Sequence, residues 1–272
     1  MKNLLAEGAT PATPMPLFGA AHLLPVLLLV VFVVFLVDVK KASFMQSFRT
    51  RLGSGLAWML SLNYLGYVVF GFFEGSLSWK ESLPLYPCAL SSVLAPVYWR
   101  SKNTTLFNVL FYWVFAGALQ AVITPEVNST FPSYEYFYFW VCHLGLFAFL
   151  FFLLIVEEIE PDLRGIGPAF GGFCVLIVLS SVANNLTGSN YYYLIEKPSV
   201  PSVMDYLGPW PVYISGAIAL SLVQFVLAYA GFRFLKTRSL NKRRSGGRNQ
   251  RGDVAVALSS VLVSPLQKLD GE

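Results

Sequence analysis

Long apolar segments recur along this chain, and they constrain its fold more than any other feature. A helix of about 20 apolar residues crosses the roughly 30 Å hydrocarbon core of a bilayer. Segments of that kind cover about 17–37, 52–73, 83–99, 106–124, 134–156, 166–183 and 209–235. Alternation of apolar and polar residues is not sustained, which argues against a membrane β-barrel. We therefore expect an all-α, polytopic bundle of about seven transmembrane helices.

The composition agrees with a membrane protein and defines three regions. Only 12% of the 272 residues are charged, whereas soluble domains carry about a quarter, so the soluble class is excluded. We expect an extracytoplasmic segment at 1–16, a transmembrane domain at 17–236 and a basic, disordered cytoplasmic tail at 237–272. The third apolar segment is short and contains Pro84, Pro87 and Pro96, so it should be kinked, tilted or partly buried within the bundle.

Basic residues indicate the orientation of the chain. They lie after the first, third and fifth apolar segments, at Lys40, Lys41, Arg49, Arg51, Arg100, Lys102 and Arg164, and at nine positions from Arg233, near the end of the seventh segment, onward. The opposite side carries only Lys2, Lys80 and Lys197. Because cytoplasmic loops are enriched in Lys and Arg, we expect the N-terminus outside and the C-terminus in the cytoplasm.

Polar side chains of several predicted helices share one depth in the outer half of the membrane. At 1.5 Å per residue, His22 and Cys88 lie about 8 Å inside the outer ends of their helices, and His143 about 14 Å. The same layer contains Gln120, Asn184 and Asn185. Each residue alone is explained by bonding to a neighbouring helix. Their common depth instead favours a functional site, because ionisable groups are costly inside a membrane.

Cys88 differs from the other two cysteines in its position. It falls in the first turns of the predicted third helix, where the helix dipole and the free N–H groups favour a thiolate. Cys142 and Cys174 have no such placement, so we interpret both as small apolar fillers. The spacing of the three cysteines is not that of a metal or redox pair.

Five stretches of the chain resemble one family of membrane proteins. They are LFGAAH (17–22), LPLYPCALS (83–91), WVFAGALQAVITPE (113–126), FWVCHLGL (139–146) and LTGSNYYYLIEKPSVPSVMDYLGPWPVYI (186–214). The second resembles the LPLH-x-C motif of the YwaF-like bacterial membrane proteins, which are similar to the eukaryotic transmembrane protein 164 group. The resemblance covers roughly 17–235. Where many bacterial members have a histidine two residues before the cysteine, this chain has Tyr86, so that role would be lost or would move, with His22 as the candidate.

The resemblance implies acyl transfer between phospholipids, with Cys88 as the nucleophile and His143 as the base. Because both lie in the outer half of the membrane, we expect the sulfur and an imidazole nitrogen within roughly 3–5 Å of each other. Gln120, Asn184 and Asn185 are the candidates for holding the oxyanion. The supporting residues are His22, Tyr86, Gln120, Asn184, Asn185 and Tyr192. The aromatic and proline-rich segment 186–214 is expected to lie over the site as a lid.

Two other functions stay open from the sequence. A transporter or channel for a small solute would also collect polar residues between helices, although the halves show no inverted repeat. A receptor or assembly factor with a structural pocket is the other. For the acyltransferase we expect phospholipid and lysophospholipid substrates, membrane lipid contacts, no cofactor, no metal and no nucleic acid. The location would be a plasma or inner membrane in a bacterium and an endomembrane in a eukaryote.

Overall fold

Every regular element in the described part of the chain is helical, as predicted from the sequence. The computed structural model describes residues 15–42, 46–75, 78, 80, 82–127, 129–199 and 201–263, with side chains as far as Arg238. The long helices are α1 (Ala20–Lys41), α2 (Gln46–Glu74), α3 (Pro87–Ser101), α4 (Thr104–Ile123), α5 (Tyr134–Ile155), α6 (Ile166–Thr187) and α7 (Val212–Val263). Each overlaps one predicted segment, which confirms the helical membrane fold.

Six of these helices are long and apolar enough to cross a membrane, and α3 is the exception. It has 15 residues, a length of about 22 Å against the roughly 30 Å of a hydrocarbon core. Pro87 is its first residue, where the missing N–H of proline costs no helical hydrogen bond. Pro84 lies in the non-helical segment before it. The prolines therefore shorten the third span from its N-terminal end.

The helix α5 lies at the centre of the bundle, and α1 lies at its edge. More than half of the apolar stretch of α5 is buried, against about a tenth of that of α1. The exposed side chains of α1 are large and apolar, among them Leu24, Leu28 and Val34. A soluble protein would not present such a surface to water, but lipid accepts it.

Polar groups join the helices through backbone carbonyls. Side-chain donors on one helix bond carbonyls on another, as expected where no water can replace the partner, and three of these bonds involve α2 or join α5 to α1. The bonds are Ser61 Oγ to Ser92 O at 2.9 Å, Asn63 Nδ2 to Tyr138 O at 3.1 Å and Tyr136 Oη to Ala21 O at 2.8 Å. They link α2 to α3, α2 to α5 and α5 to α1.

The chain divides into a unit that ends at Val226 and a second one that begins at Leu227. The sequence predicts disorder from 237, whereas the structure describes helix as far as Val263. That prediction rests on the Arg-, Ser- and Gly-rich composition of the tail. Residues 264–272 and most of the predicted 1–16 segment lie outside the described residues, and the boundary at 236 stays a prediction.

Gly53 permits the close contact of α2 with α3 and α5. A Cβ at this position would lie 2.3 Å from Cη2 of Trp99 and 2.6 Å from Cε1 of Phe152, so both rings would have to move. A Cβ at Gly55 would meet nothing within 4 Å. We expect Gly53→Ala to destabilise the bundle by roughly 1–3 kcal/mol, the usual range for overpacking. Gly55→Ala is the matched control, and thermal unfolding in nanodiscs measures both. Equal unfolding temperatures would contradict this packing.

Candidate functional site

One cavity of about 430 Å³ opens among the helices and contains both residues predicted to be catalytic. Its volume lies within the roughly 300–1,000 Å³ that is usual for small-molecule sites. Cys88 of α3 and His143 of α5 line it together with residues of α2, α4, α6, α7 and the segment 188–211. The structure therefore brings the predicted cysteine and histidine to the same site.

A glycine on α4 makes room for the Cys88 thiol. The stretch Val114–Ala118 of α4 is a π-helical turn, a local widening that is frequent at functional sites. It turns Gly117 toward α3, where an added Cβ would lie 3.2 Å from the Cys88 sulfur. Cys88 is the second residue of α3, so its sulfur lies beside the helix N-terminus, as predicted. Any larger side chain at Gly117 would press on the thiol.

The hydrogen bond of His143 determines which of its nitrogens can accept a proton. Nδ1 lies 2.8 Å from the carbonyl oxygen of Phe139. Because a carbonyl only accepts hydrogen bonds, Nδ1 carries the hydrogen, and in the neutral ring the lone pair is on Nε2. The Phe139 ring packs on the imidazole with centroids 4.2 Å apart. His143, which lines the cavity, is thus held in the tautomer whose Nε2 can accept a hydrogen.

Cys88 and His143 lie at similar depths. His143 is nine residues from the start of α5 at Tyr134, about 14 Å along the helix. Gly117, which contacts Cys88, is six residues from the end of α4 at Ile123, about 9 Å. Within the described residues no hydrogen bond joins the thiol to the imidazole, so substrate binding or a small movement would have to couple them. The separation of roughly 3–5 Å stays a prediction.

Cys142 also lines the cavity, although the sequence predicted only a filler. Ser92 Oγ donates its single hydrogen to the carbonyl oxygen of Cys88 at 3.0 Å. In its 3.6 Å contact with Ser92, Cys142 is therefore the donor. The thiol hydrogen of Cys142 is thus used in this bond, whereas within the described residues no hydrogen bond of the Cys88 thiol to another residue is found. Cys174 is exposed and does not line the cavity.

Residues of the segment 188–211, which we call the lid, line the cavity, as expected from the predicted lid at 186–214. Eight of its residues contribute to the lining: Tyr192, Tyr193, Leu194, Pro198, Ser202, Val203, Met204 and Leu207. Asn184 at the end of α6 holds its first part. Its amide oxygen accepts from Tyr191 N at 2.7 Å and Ser189 Oγ at 3.1 Å, and its Nδ2 donates to Tyr191 O at 3.0 Å.

Glu126 holds the middle of the lid and was not identified from the sequence. One carboxylate oxygen accepts from Ser199 N at 3.0 Å and from Ser199 Oγ at 2.8 Å, and the other accepts from Tyr193 Oη. Burial, and then the bond to Glu126, raise the pKa of the Tyr193 phenol well above its usual range, so it stays a donor. The sequence signal was a single acidic residue just beyond the fourth apolar segment, inside the ITPE motif.

The other predicted site residues divide into two groups. Tyr86 and Gln120 line the cavity, and the Tyr86 ring packs against those of the three lid tyrosines. Asn184 and Asn185 are not among the lining residues: the first is fully bonded to the lid, and the second is exposed and bonds Ser181 O. The proposed oxyanion role of these two amides thus has no geometric support.

His22 has a structural position instead. Its Nδ1 accepts from Phe18 N at 3.1 Å, which leaves Nε2 as the donor to Val122 O at 2.8 Å. Both nitrogens are therefore used, and the side chain links α1 to the end of α4 outside the cavity lining. Among the residues that the structure describes, no three His, Cys, Asp or Glu side chains are close enough to bind a metal ion.

Removal of the Glu126 carboxylate should open the lid. Each hydrogen bond to a charged group contributes about 1.5–3 kcal/mol, so Glu126→Ala should raise the open population at least about tenfold. The rate at which N-ethylmaleimide alkylates Cys88, mapped by peptide mass spectrometry in a Cys174→Ser background, measures this opening. Glu196→Ala is the control, because that exposed lid residue makes none of these bonds through its side chain. An unchanged rate in Glu126→Ala would contradict the role of Glu126.

Comparisons with known proteins cover the helices that form this site. The TMEM164 family matches residues 17–229, which include Cys88, His143, Glu126 and the lid. An uncharacterized protein of Treponema pallidum (strain Nichols) is 26% identical over 170 residues, which are 62% of this chain and 70% of that protein. No solved structure matches the chain.

Proposed function

The chain belongs to the TMEM164 family, and on that premise we propose that it is a membrane acyltransferase that moves a fatty acyl chain between phospholipids. The observation that supports this most is the hydrogen bond between His143 Nδ1 and Phe139 O. It leaves Nε2 as a proton acceptor in the cavity that contains a cysteine at a helix N-terminus. A base and a thiol in one cavity are the two groups that nucleophilic acyl transfer requires.

The first half-reaction would load the acyl chain onto the protein. His143 Nε2 takes the thiol proton of Cys88, and the thiolate attacks the ester carbonyl carbon of a phospholipid. The carbon–sulfur bond forms and the carbonyl electron pair moves to oxygen. When that pair returns, the ester carbon–oxygen bond breaks, and the leaving lysophospholipid oxygen takes the proton from His143. A thioester on Cys88 and a lysophospholipid result.

The second half-reaction reverses these roles. A lysophospholipid hydroxyl gives its proton to His143 Nε2 and attacks the thioester carbonyl. The carbon–sulfur bond breaks, and the Cys88 sulfur recovers a proton from His143. Because one ester is exchanged for another through a thioester, no external energy source is required. The two half-reactions together transfer one acyl chain between two lipids through one cysteine.

The surroundings of the cavity suit a lipid substrate. Ile177, Ile214 and Ile218 provide an apolar wall for an acyl chain. Gly117, beside Cys88, lies about 9 Å from the end of α4 and His143 about 14 Å from the start of α5, a depth that the acyl chains of a phospholipid leaflet reach. The lid residues that line the cavity would limit the access of water to the thioester.

Removal of either catalytic group should abolish transfer without unfolding the bundle. In nanodiscs that contain a phospholipid with a deuterated acyl chain and a lysophospholipid acceptor, mass spectrometry measures the labelled product. Cys88→Ala should lose all transfer, and His143→Gln should lose roughly 10²–10⁴-fold, the usual contribution of a general base. Cys174→Ser, at an exposed position outside the cavity, should match the wild type. Undiminished transfer by Cys88→Ala would contradict the proposal.

A further inference from the structure

The hydroxyl of Tyr192 is a buried polar group without a hydrogen-bond partner in the described part of the chain. A buried hydroxyl in a native protein normally has a partner, so an exception needs an explanation. The Tyr192 ring lines the cavity that contains Cys88. The Tyr192 hydroxyl is therefore a donor that the described residues leave unused, on a side chain that lines the same cavity as Cys88.

The backbone holds this tyrosine in an uncommon conformation. Tyr192 has φ of 64° and Tyr193 has φ of 54°, in the left-handed region that bulky residues rarely adopt. Strained backbone of this kind persists only where its neighbours are fixed. Tyr191 is held by the Asn184 amide, and the carbonyl of Tyr193 accepts from the Tyr213 hydroxyl. Tyr192 thus lies between two residues that the bundle fixes.

Two aromatic rings fix the Tyr192 side chain against the helix that bears the nucleophile. Its ring meets Phe173 of α6 edge to face, with centroids 5.2 Å apart, and lies parallel to Tyr86 at 6.4 Å. Tyr86 comes directly before Pro87 and Cys88 at the start of α3. The phenol is therefore held beside the turn from which the thiol projects.

We propose that the Tyr192 hydroxyl donates a hydrogen bond to the oxyanion that forms when Cys88 attacks an acyl ester, an inference that rests on the proposed function. The phenol keeps its proton throughout. Its hydrogen bond stabilises the negative oxygen while the carbon–sulfur bond forms, and the bond is released when the carbonyl re-forms and the lysophospholipid leaves.

Other observations agree with this role. Burial, and next the charge of a Cys88 thiolate, raise the pKa of Tyr192 well above its usual range, so the phenol remains a donor beside a negative sulfur. Pro87 and Cys88, the first two residues of α3, line the same cavity as Tyr192, and a helix N-terminus favours negative charge beside it. Of the three amides considered from the sequence, Asn184 and Asn185 are bonded elsewhere, and Gln120 lines the cavity.

The test compares Tyr192→Phe, which removes only the hydroxyl, with Gln120→Leu in the labelled transfer assay. Tyr192→Phe should lower kcat by roughly 10²–10³-fold, as the loss of one oxyanion donor does, with little change in KM. Tyr206→Phe is the matched control, since that lid tyrosine is 89% exposed. If the wild type transfers and Tyr192→Phe keeps its kcat, or if only Gln120→Leu loses it, this inference is overturned and the proposed function stands. If the wild type transfers nothing, both fail.

A second measurement tests the proposal without this substitution, in case the Tyr192→Phe protein fails to fold. The full chain carries 3-fluorotyrosine at position 192 or, as a control, at position 206, and is treated with a long-chain trifluoromethyl ketone. Cys88 adds to this ketone to give a tetrahedral adduct whose oxygen mimics the oxyanion. The fluorine resonance at position 192 should shift on adduct formation, and that at 206 should not. An adduct on Cys88 that leaves the resonance at 192 unchanged would overturn the assignment.

Discussion

Backbone N–H and C=O groups inside a membrane must find partners within the protein, and this requirement shapes the site. The chain enters the bundle before α3 in the non-helical segment 82–86, whose backbone groups lack most of the hydrogen bonds of a helix. Side chains of other elements replace them: Tyr64 Oη donates to Ser82 O, Tyr191 Oη accepts from Leu83 N, and Ser180 Oγ donates to Leu85 O. The segment is thus held by α2, α6 and the lid.

The late start of α3 at Pro87 brings a helix N-terminus inside the bundle. A helix that crossed the whole membrane at this position would have its N-terminus at the membrane surface, and Cys88 would then lie in the interior of the helix. Here the thiol instead lies beside free N–H groups, with Gly117 opposite and His143 on the central helix. The lid tyrosine that accepts from Leu83 is also the one that Asn184 holds. The position of the lid and the position of Cys88 therefore depend on the same contacts.

The sequence predicted the features that depend on long apolar patterns or on motif resemblance. The helical fold, the shared cavity of Cys88 and His143, and the position of the lid belong to this group. Contacts between side chains distant in sequence were not predictable. Such contacts depend on how each helix is rotated about its axis, which apolar composition does not determine. Examples are the hydrogen bonds of Asn184 to the lid, the two hydrogen bonds of His22 and the place of Cys142 on the cavity wall. Glu126 was missed because its partners Tyr193 and Ser199 lie about 70 residues away.

The covalent intermediate is the most direct test of the account. The wild-type chain, incubated with a phospholipid of one defined acyl chain and without acceptor, should gain the mass of one acyl group in intact-protein mass spectrometry. The added mass should map to Cys88, disappear with hydroxylamine as a thioester does, and transfer to lysophospholipid when the acceptor is added. A wild-type chain that stays unmodified while it transfers the label, or an adduct that persists in Cys88→Ala, would contradict the central claim.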